Sequence, residues 1–470
     1  MRPPVRRIAA AIAASVPILA LPVAASSATV SSGGVGTTSD RPADRHCARM
    51  QQTRVKGAEK QVKACLDDLT TAGTVASGHT DPNDWAGLHA PGTENPSGVP
   101  GIQIDGYFPD TSTFNQHHGW DHDSQFVLRL PDDWNGGLVV SGAPGVRTQY
   151  ANDFIIGDWV LARGYAFAST DKGNSSSSFY TDGNRPGDAI AEWHRRVSEL
   201  AVAAKHAVKT RYRQEPQRTY MFGISNGGYL TRWQLENRPD LFDGGVDWEG
   251  TLFTAPGPHL LTYLPAALEH YPAYAATGDD AAHDAMIAAG FQPGSEFLWP
   301  YHYSVYWDLT QRIYREELDP AYDGDLQAGI PFCQSGTPNC DADYDYAARP
   351  EAVHEAMRRV SLDGDLERPM LTLHGTRDAL LPIRTDSDVY DAMIDRAGAS
   401  DLHRYYRVED GTHVDSLYAT YPDRLRPLLP CAREAFAALE GWVENGAEPP
   451  ADATIARPRS GDLVNTCALR

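Results

Sequence analysis

The chain has 470 residues, 41% of them hydrophobic, with 62 acidic residues against 41 basic ones and a formal net charge of −21 at pH 7. That length is ample for one enlarged domain with an insertion, or for two or three smaller domains. So acidic a surface repels nucleic acid and anionic membranes, which excludes both as partners, and it leaves the oligomeric state unknown.

The N-terminus reads as a processing segment. Arg2, Arg6 and Arg7 precede an apolar stretch over 8–21, and the small residues of Val23-Ala24-Ala25 and Ser26-Ser27-Ala28 offer cleavage sites. Residues 1–28 are expected to be a signal peptide cleaved near 25–28, and the protein to be secreted. The apolar run is too short for a membrane span. Six cysteines suit an oxidising compartment. Pairing between neighbours is expected: Cys47–Cys65, Cys333–Cys340 and Cys431–Cys467, the last pinning a C-terminal tail over 447–470. No C-x-x-C pair or nearby histidine cluster supports zinc, and no metal or cofactor is expected.

Residues 29–100 read as an irregular N-terminal segment, rich in Ser, Thr and Gly at first and dense in Gly, Pro, Asn and Thr from 73 onward. A regular pattern begins near Gln125. Strands are expected over 125–130, 137–140 and 165–170, with a helix over 155–163 that closes at Gly164. The clearest helix covers 189–211, where Ile190, Trp193, Val197, Leu200 and Ala204 recur on one face. A strand over 218–222, a helix over 228–238 ended before Pro239, and a strand over 244–248 follow. Strands alternating with helices imply an α/β class and a mostly parallel sheet covered on both faces.

Between 250 and 366 the alternation breaks. A cap is expected over 251–366, with a small aromatic core of its own and one or two rings facing the substrate. Trp299, Tyr303 and Trp307 are the candidates. Strands resume over 370–375 and over 403–408, which looks like the last one. The core is thus expected over 101–250 and 367–446.

The densest chemical signal is Gly223-Ile224-Ser225-Asn226-Gly227, a G-x-S-x-G sequence between an expected strand and an expected helix. A turn so sharp leaves no room for side chains two residues either side of the serine. Asp378 lies just past the strand over 370–375, and Glu409-Asp410-Gly411-Thr412 presents His413 after the strand over 403–408. Asp365 precedes its strand and Asp410 shares the histidine's own loop, so Asp378 is the better acid. Ser…Asp…His is the chain order of the α/β-hydrolase fold. Serine needs a base to become nucleophilic, and the base needs an acid to orient it. Two backbone donors for an oxyanion are expected from Asn226 and from Ala143, in the loop Ser141-Gly142-Ala143-Pro144-Gly145, where Pro144 has no N–H.

Asp133-Trp134-Asn135-Gly136, the loop 141–145, Arg163-Gly164-Tyr165-Ala166 and Ser169-Thr170-Asp171-Lys172-Gly173 run in an order that resembles secreted tannase/feruloyl-esterase-like hydrolases. Ser225-Asn226-Gly227-Gly228 is similar to 3-hydroxybutyrate oligomer hydrolases. The resemblance covers residues 125–250 and 368–415. It implies ester cleavage, a lid between strands, and export. Tannase-type enzymes carry a cysteine beside the serine, bonded to one beside the histidine; here Ile224 and Val414 stand there. Some also bind calcium in the lid. Asp341, Asp343 and Asp345 lack a glycine-centred ligand spacing, so a solvated acidic loop is expected. The expected activity is that of a serine esterase on short-chain polyester or hydroxyalkanoate oligomers. A phenolic esterase and a secreted peptidase on the same fold are the alternatives. A binding protein on a dead hydrolase fold conflicts with the complete Ser, Asp and His set.

Overall fold

Among the described residues, ten strands form one sheet: β1 (Lys60–Leu66), β2 (Gly101–Tyr107), β3 (Gln125–Pro131), β4 (Gly137–Gly142), β5 (Ala166–Thr170), β6 (Arg218–Ile224), β7 (Gly244–Trp248), β8 (Met370–Gly375), β9 (His403–Val408) and β10 (Ala453–Ile455). The computed structural model describes residues 46–322 and 341–470. The expected signal peptide over 1–28 and the Cys333–Cys340 pair lie outside the described residues. The strand order is β1-β2-β3-β5-β4-β6-β7-β8-β9-β10. From β1 to β5 the pairings are antiparallel, and from β5 through β10 they are parallel. Every residue of β3, β4, β5, β7 and β8 is buried, as a sheet covered on both faces requires.

Two edges depart from the sequence reading. The segment expected to be irregular contains β1 and a short helix, α1 (Thr71–Ala76), and β2 also precedes Gln125. The sequence of β1, KQVKACL, has no apolar run, and the strand is half-exposed along most of its length. Its order comes from pairing with β2 and from the Cys47–Cys65 disulfide. At the other edge β9 is not the last strand. The three-residue β10 pairs beside it, within the tail that the Cys431–Cys467 disulfide ties to a helix.

Helices α2 (Asp158–Ala162), α3 (Asp188–Tyr212) and α4 (Asn226–Asn237) follow β4, β5 and β6 in the chain. The stripe Ile190, Trp193, Val197, Leu200 and Ala204 of α3 is fully buried, as its spacing requires. Between β7 and β8 lie α5 (Leu260–Thr277), α6 (Asp280–Ala288), α7 (Trp299–His302), α8 (Asp308–Leu318) and α9 (Glu351–Val360). After β8 come α10 (Ser387–Ala397) and α11 (Leu429–Asn445). Phe436 of α11 packs against Phe222 and Tyr220 of β6, with ring centroids 5.6 and 5.4 Å apart.

The aromatic residues between β7 and β8 make a local core. Trp299 is fully buried against Tyr274 and Phe291, and its Nε1 donates to Ser295 Oγ at 3.0 Å. Trp307 is equally buried, packs on Phe291, and donates from Nε1 to Ala379 O at 2.7 Å. Neither ring has a face left for substrate, which corrects the expectation for both. Tyr303 is half-buried beside Tyr271. No helix of the described residues is long and apolar enough to cross a membrane.

The Cys431–Cys467 bond closes a loop of 36 residues, which limits the freedom of the unfolded chain. The variant Cys431→Ala/Cys467→Ala is expected to lose about 2–4 kcal/mol of stability by urea unfolding. A midpoint unchanged from the parent would contradict a stabilising role for this bond.

Candidate active site

Ser225 stands at the turn between β6 and α4, with φ 58° and ψ −122°, a conformation that costs strain at a non-glycine residue. Its amide donates to Trp248 O at 2.9 Å and its carbonyl accepts from Tyr229 N at 2.9 Å, so the turn is held from both sides. A Cβ at Gly223 would run into the Gly227 carbonyl, and one at Gly227 would lie 2.5 Å from Gly142 O. The serine is half-exposed while its neighbours on both sides are buried.

Asp378 and His413 come from adjacent strand ends. Gly375, the last residue of β8, lies so close to Gly411 that a Cβ would overlap its backbone. Three bonds lace the two loops together: Thr376 N to Val408 O at 2.9 Å, Arg377 N to Gly411 O at 2.8 Å, and Asp410 N to Thr376 Oγ1 at 3.0 Å. His413 Nδ1 is thereby placed 2.8 Å from Asp378 Oδ2, and Nε2 3.1 Å from Ser225 Oγ. The other carboxylate oxygen, Asp378 Oδ1, accepts from the amides of Leu380 and Leu381 at 2.7 and 2.9 Å. The three side chains picked from strand ends therefore meet in one hydrogen-bonded line.

Burial opposes charge on Asp378. The His413 charge and hydrogen bonds from His374 and His413 outweigh it and hold the carboxyl well below its ordinary value. Burial likewise pulls His413 down, but Asp378 and then Glu249 raise it above 6.5. Two further titratable groups, absent from the sequence reading, complete this buried cluster. His374 of β8 has Nδ1 2.7 Å from Ser387 Oγ and Nε2 2.8 Å from Leu381 O. Against burial, a hydrogen bond to Asp378 and the Glu249 charge push it up to about 9. Glu249 follows β7 directly and is fully buried. Burial and the Asp378 charge push its carboxyl up to about 7. An acid just past a strand was the signal used for Asp378, and Glu249 satisfies it too.

Asn226 joins three parts of the site. Its Nδ2 donates to Gly145 O at 3.0 Å and to Tyr314 Oη of α8 at 2.7 Å, while Oδ1 accepts from Thr251 Oγ1 at 3.1 Å. The sequence-based role of Ala143 needs correction. Its amide donates to Thr170 O at 3.0 Å, prolonging the β4–β5 ladder past Gly142, and so is not available to an oxyanion. The next N–H along the loop belongs to Gly145, which adopts φ +49°.

The oxygen and nitrogen atoms of Glu249, His374 and Asp378 lie close enough to share a metal ion. Most of them are already committed: both Asp378 oxygens, both His374 nitrogens, and Glu249 Oε1, which accepts from Gly375 N at 2.8 Å. The set is a hydrogen-bonded network rather than an open ligand set. Asp341 is buried and ion-paired with Arg315 at 2.9 Å, so that part of the acidic loop is not solvated as expected. A cleft of about 680 Å³ lined by Asp110, Asp182 and Glu192 contains none of Ser225, Asp378 and His413.

Two family models match the chain: "Tannase and feruloyl esterase" over residues 114–248, and "3HB-oligomer hydrolase" over residues 326–470. A probable feruloyl esterase of Arthroderma benhamiae is 29% identical over 125 residues, 25% of this chain and 23% of the relative. A D-(-)-3-hydroxybutyrate oligomer hydrolase of Cupriavidus pinatubonensis is 27% identical over 168 residues, 31% of this chain and 24% of the relative. The chain thus matches less than a quarter of the length of either one. Feruloyl esterase B from Aspergillus oryzae superposes with a TM-score of 0.52 at 15% identity, covering 86% of this chain and 91% of that one. The resemblance read from the motifs is borne out, and the fold is that of an α/β hydrolase.

A base works only when neutral. Because His413 is raised, it keeps its proton to a higher pH than a free histidine. The acid limb of kcat/KM on a soluble ester is therefore expected above pH 6.5. A limb below that value would contradict His413 as the base. Gly227→Ala should push the turn away from Gly142 and lower kcat/KM by about 10²-fold with the circular dichroism spectrum retained. Undiminished activity would show that this close approach is dispensable.

Proposed function

We propose that this chain is a secreted serine hydrolase that cleaves carboxylic esters through an acyl-enzyme. The observation that carries the reading is the Ser225–His413–Asp378 line, at 3.1 and 2.8 Å, with its serine accessible on a strained turn. Ser225 Oγ attacks the ester carbonyl as His413 Nε2 takes its proton. The imidazolium keeps its Nδ1–H on Asp378 and gives the new proton to the departing alcohol. Water, deprotonated by the same nitrogen, releases the acid. The amide of Asn226, first in α4, and that of Gly145 supply the oxyanion donors, with Gly145 in the place expected for Ala143. Export rests on the N-terminal pattern of residues 1–28 and on the Cys47–Cys65 and Cys431–Cys467 disulfides, which suit an oxidising compartment.

Hydroxyalkanoate oligomers are the proposed substrate class. The oligomer-hydrolase model matches the region that holds Asp378 and His413. Phenolic esters are the second reading, favoured by the match over residues 114–248. Against it, Ile224 and Val414 flank Ser225 and His413 as buried apolar residues where tannase-type enzymes have a linking pair of cysteines.

Ser225→Ala is expected to lower the hydrolysis of p-nitrophenyl butyrate by about 10⁶-fold while the thermal melt is kept. Retention of most of the activity would refute the assignment. Parallel assays on 3-hydroxybutyrate trimer, methyl ferulate, methyl gallate and a peptide anilide decide the class. The highest kcat/KM is expected on the trimer, and a highest value on either phenolic ester would reverse the order of the two readings.

A further inference from the structure

His413 faces two carboxylates. Asp378 Oδ2 is 2.8 Å from Nδ1, and Glu249 Oε2 is 4.0 Å from the same nitrogen. The two acids hang from neighbouring parallel strands, β8 and β7, and approach the imidazole from adjacent positions. Glu249 is pinned rather than free. Its amide donates to Leu373 O at 2.8 Å, and its Oε1 accepts from Gly375 N at 2.8 Å. The second oxygen, Oε2, is buried with no hydrogen-bond partner among the described residues. A buried carboxylate oxygen left unpartnered is costly. So is the backbone of this residue, held at φ +48° although it is not glycine. Two unfavourable features at one residue beside the general base call for a role.

We propose that Glu249 is a second acid behind His413: a positioning residue that adds negative charge beside the imidazolium and takes over the Nδ1 hydrogen bond when Asp378 is lost. The proposal rests on the reading of Ser225 and His413 as nucleophile and base. When Nε2 accepts the serine proton, the ring becomes a cation, and Nδ1 keeps its own proton on Asp378. No proton passes to Glu249 in this step; its charge acts across 4.0 Å in a dry site, where screening is weak. The groups that face Glu249 are Asp378 and His374 from β8 and its loop, and His413 from the loop after β9. His302 of α7 is also within electrostatic reach of Asp378 and His413, and burial keeps it neutral, down to about 4. Loss of Asp378 would remove the nearest repulsive charge from Glu249 and leave Nδ1–H unpaired. A movement of Oε2 by about an ångström would then bring it within hydrogen-bond reach.

The test measures kcat/KM for p-nitrophenyl butyrate against pH in the full chain and in Glu249→Gln, Asp378→Ala and the double variant, with each fold checked by thermal melting. Loss of a lone orienting acid costs about 10⁴-fold. With Glu249 in reserve, Asp378→Ala, which empties the place of the carboxylate and leaves Nδ1–H unpaired, is expected to lose only about 10²-fold, and the double variant to fall about 10²-fold further. Equal rates for Asp378→Ala and the double variant would overturn the proposal. Should the double variant fail to fold, the single Glu249→Gln profile decides. Removing a negative charge lowers the His413 pKa, so the acid limb should move to lower pH, a change that a merely structural role would not produce. A limb at the parent's position would overturn the proposal. Ser225→Ala, run alongside, separates the two failures: activity retained there sinks the reading of the site, whatever Glu249 does.

Discussion

The hydrogen bond between His413 Nε2 and Ser225 Oγ spans 188 residues of chain, and it exists only because the four neighbouring parallel strands β6 to β9 end along one edge of the sheet. β6 delivers the serine, β8 the aspartate and β9 the histidine, with β7 lying between β6 and β8. The contact of Gly375 with Gly411 sets the spacing of the last two strand ends. If either glycine carried a side chain, the loops would part and the imidazole would leave both partners. The position of a proton thus depends on backbone packing at the carboxyl edge of the sheet.

Around that line the protein places charges that do not balance simply. Asp378, Glu249, His374 and His413 share one dry volume, and each alters the others. The raised His374 stands as a counter-charge to the two acids. Together with burial, these charges leave His413 with its pKa raised from the ordinary value. Asn226 links that chemistry to the segment between β7 and β8 through the Tyr314 hydroxyl, so α8 is coupled to the turn that carries the serine. Trp307 makes a second tie, to the carbonyl just after Asp378.

Much of this arrangement was legible in the residues alone. Ser225, Asp378 and His413 each follow a legible strand, rich in aromatic and β-branched residues in β6 and β9 and an apolar Met-Leu-Thr-Leu run in β8, and a parallel sheet puts such ends together. What escaped had physical reasons. β1 is half-exposed and its sequence, KQVKACL, carries no clean apolar–polar alternation, so its partner and a disulfide order it rather than its own pattern. β10 has three residues, too few for any periodicity. The amide of Ala143 is spent because the β4–β5 ladder runs one residue further than its apolar content suggests, and the direction of a single N–H is not written in composition. Trp299 and Trp307 satisfy the rule that large rings make small cores before they make binding surfaces. Glu249 meets the same positional criterion as Asp378, but only the fold shows that two acids address one nitrogen.

The most direct test of the central claim is chemical labelling. A serine-directed phosphonate, followed by peptide mass spectrometry, should place one adduct on Ser225, and the adduct should vanish in His413→Ala although the fold persists. An adduct on a different serine, or labelling of Ser225 that does not depend on His413, would contradict the claim that this imidazole makes that hydroxyl reactive.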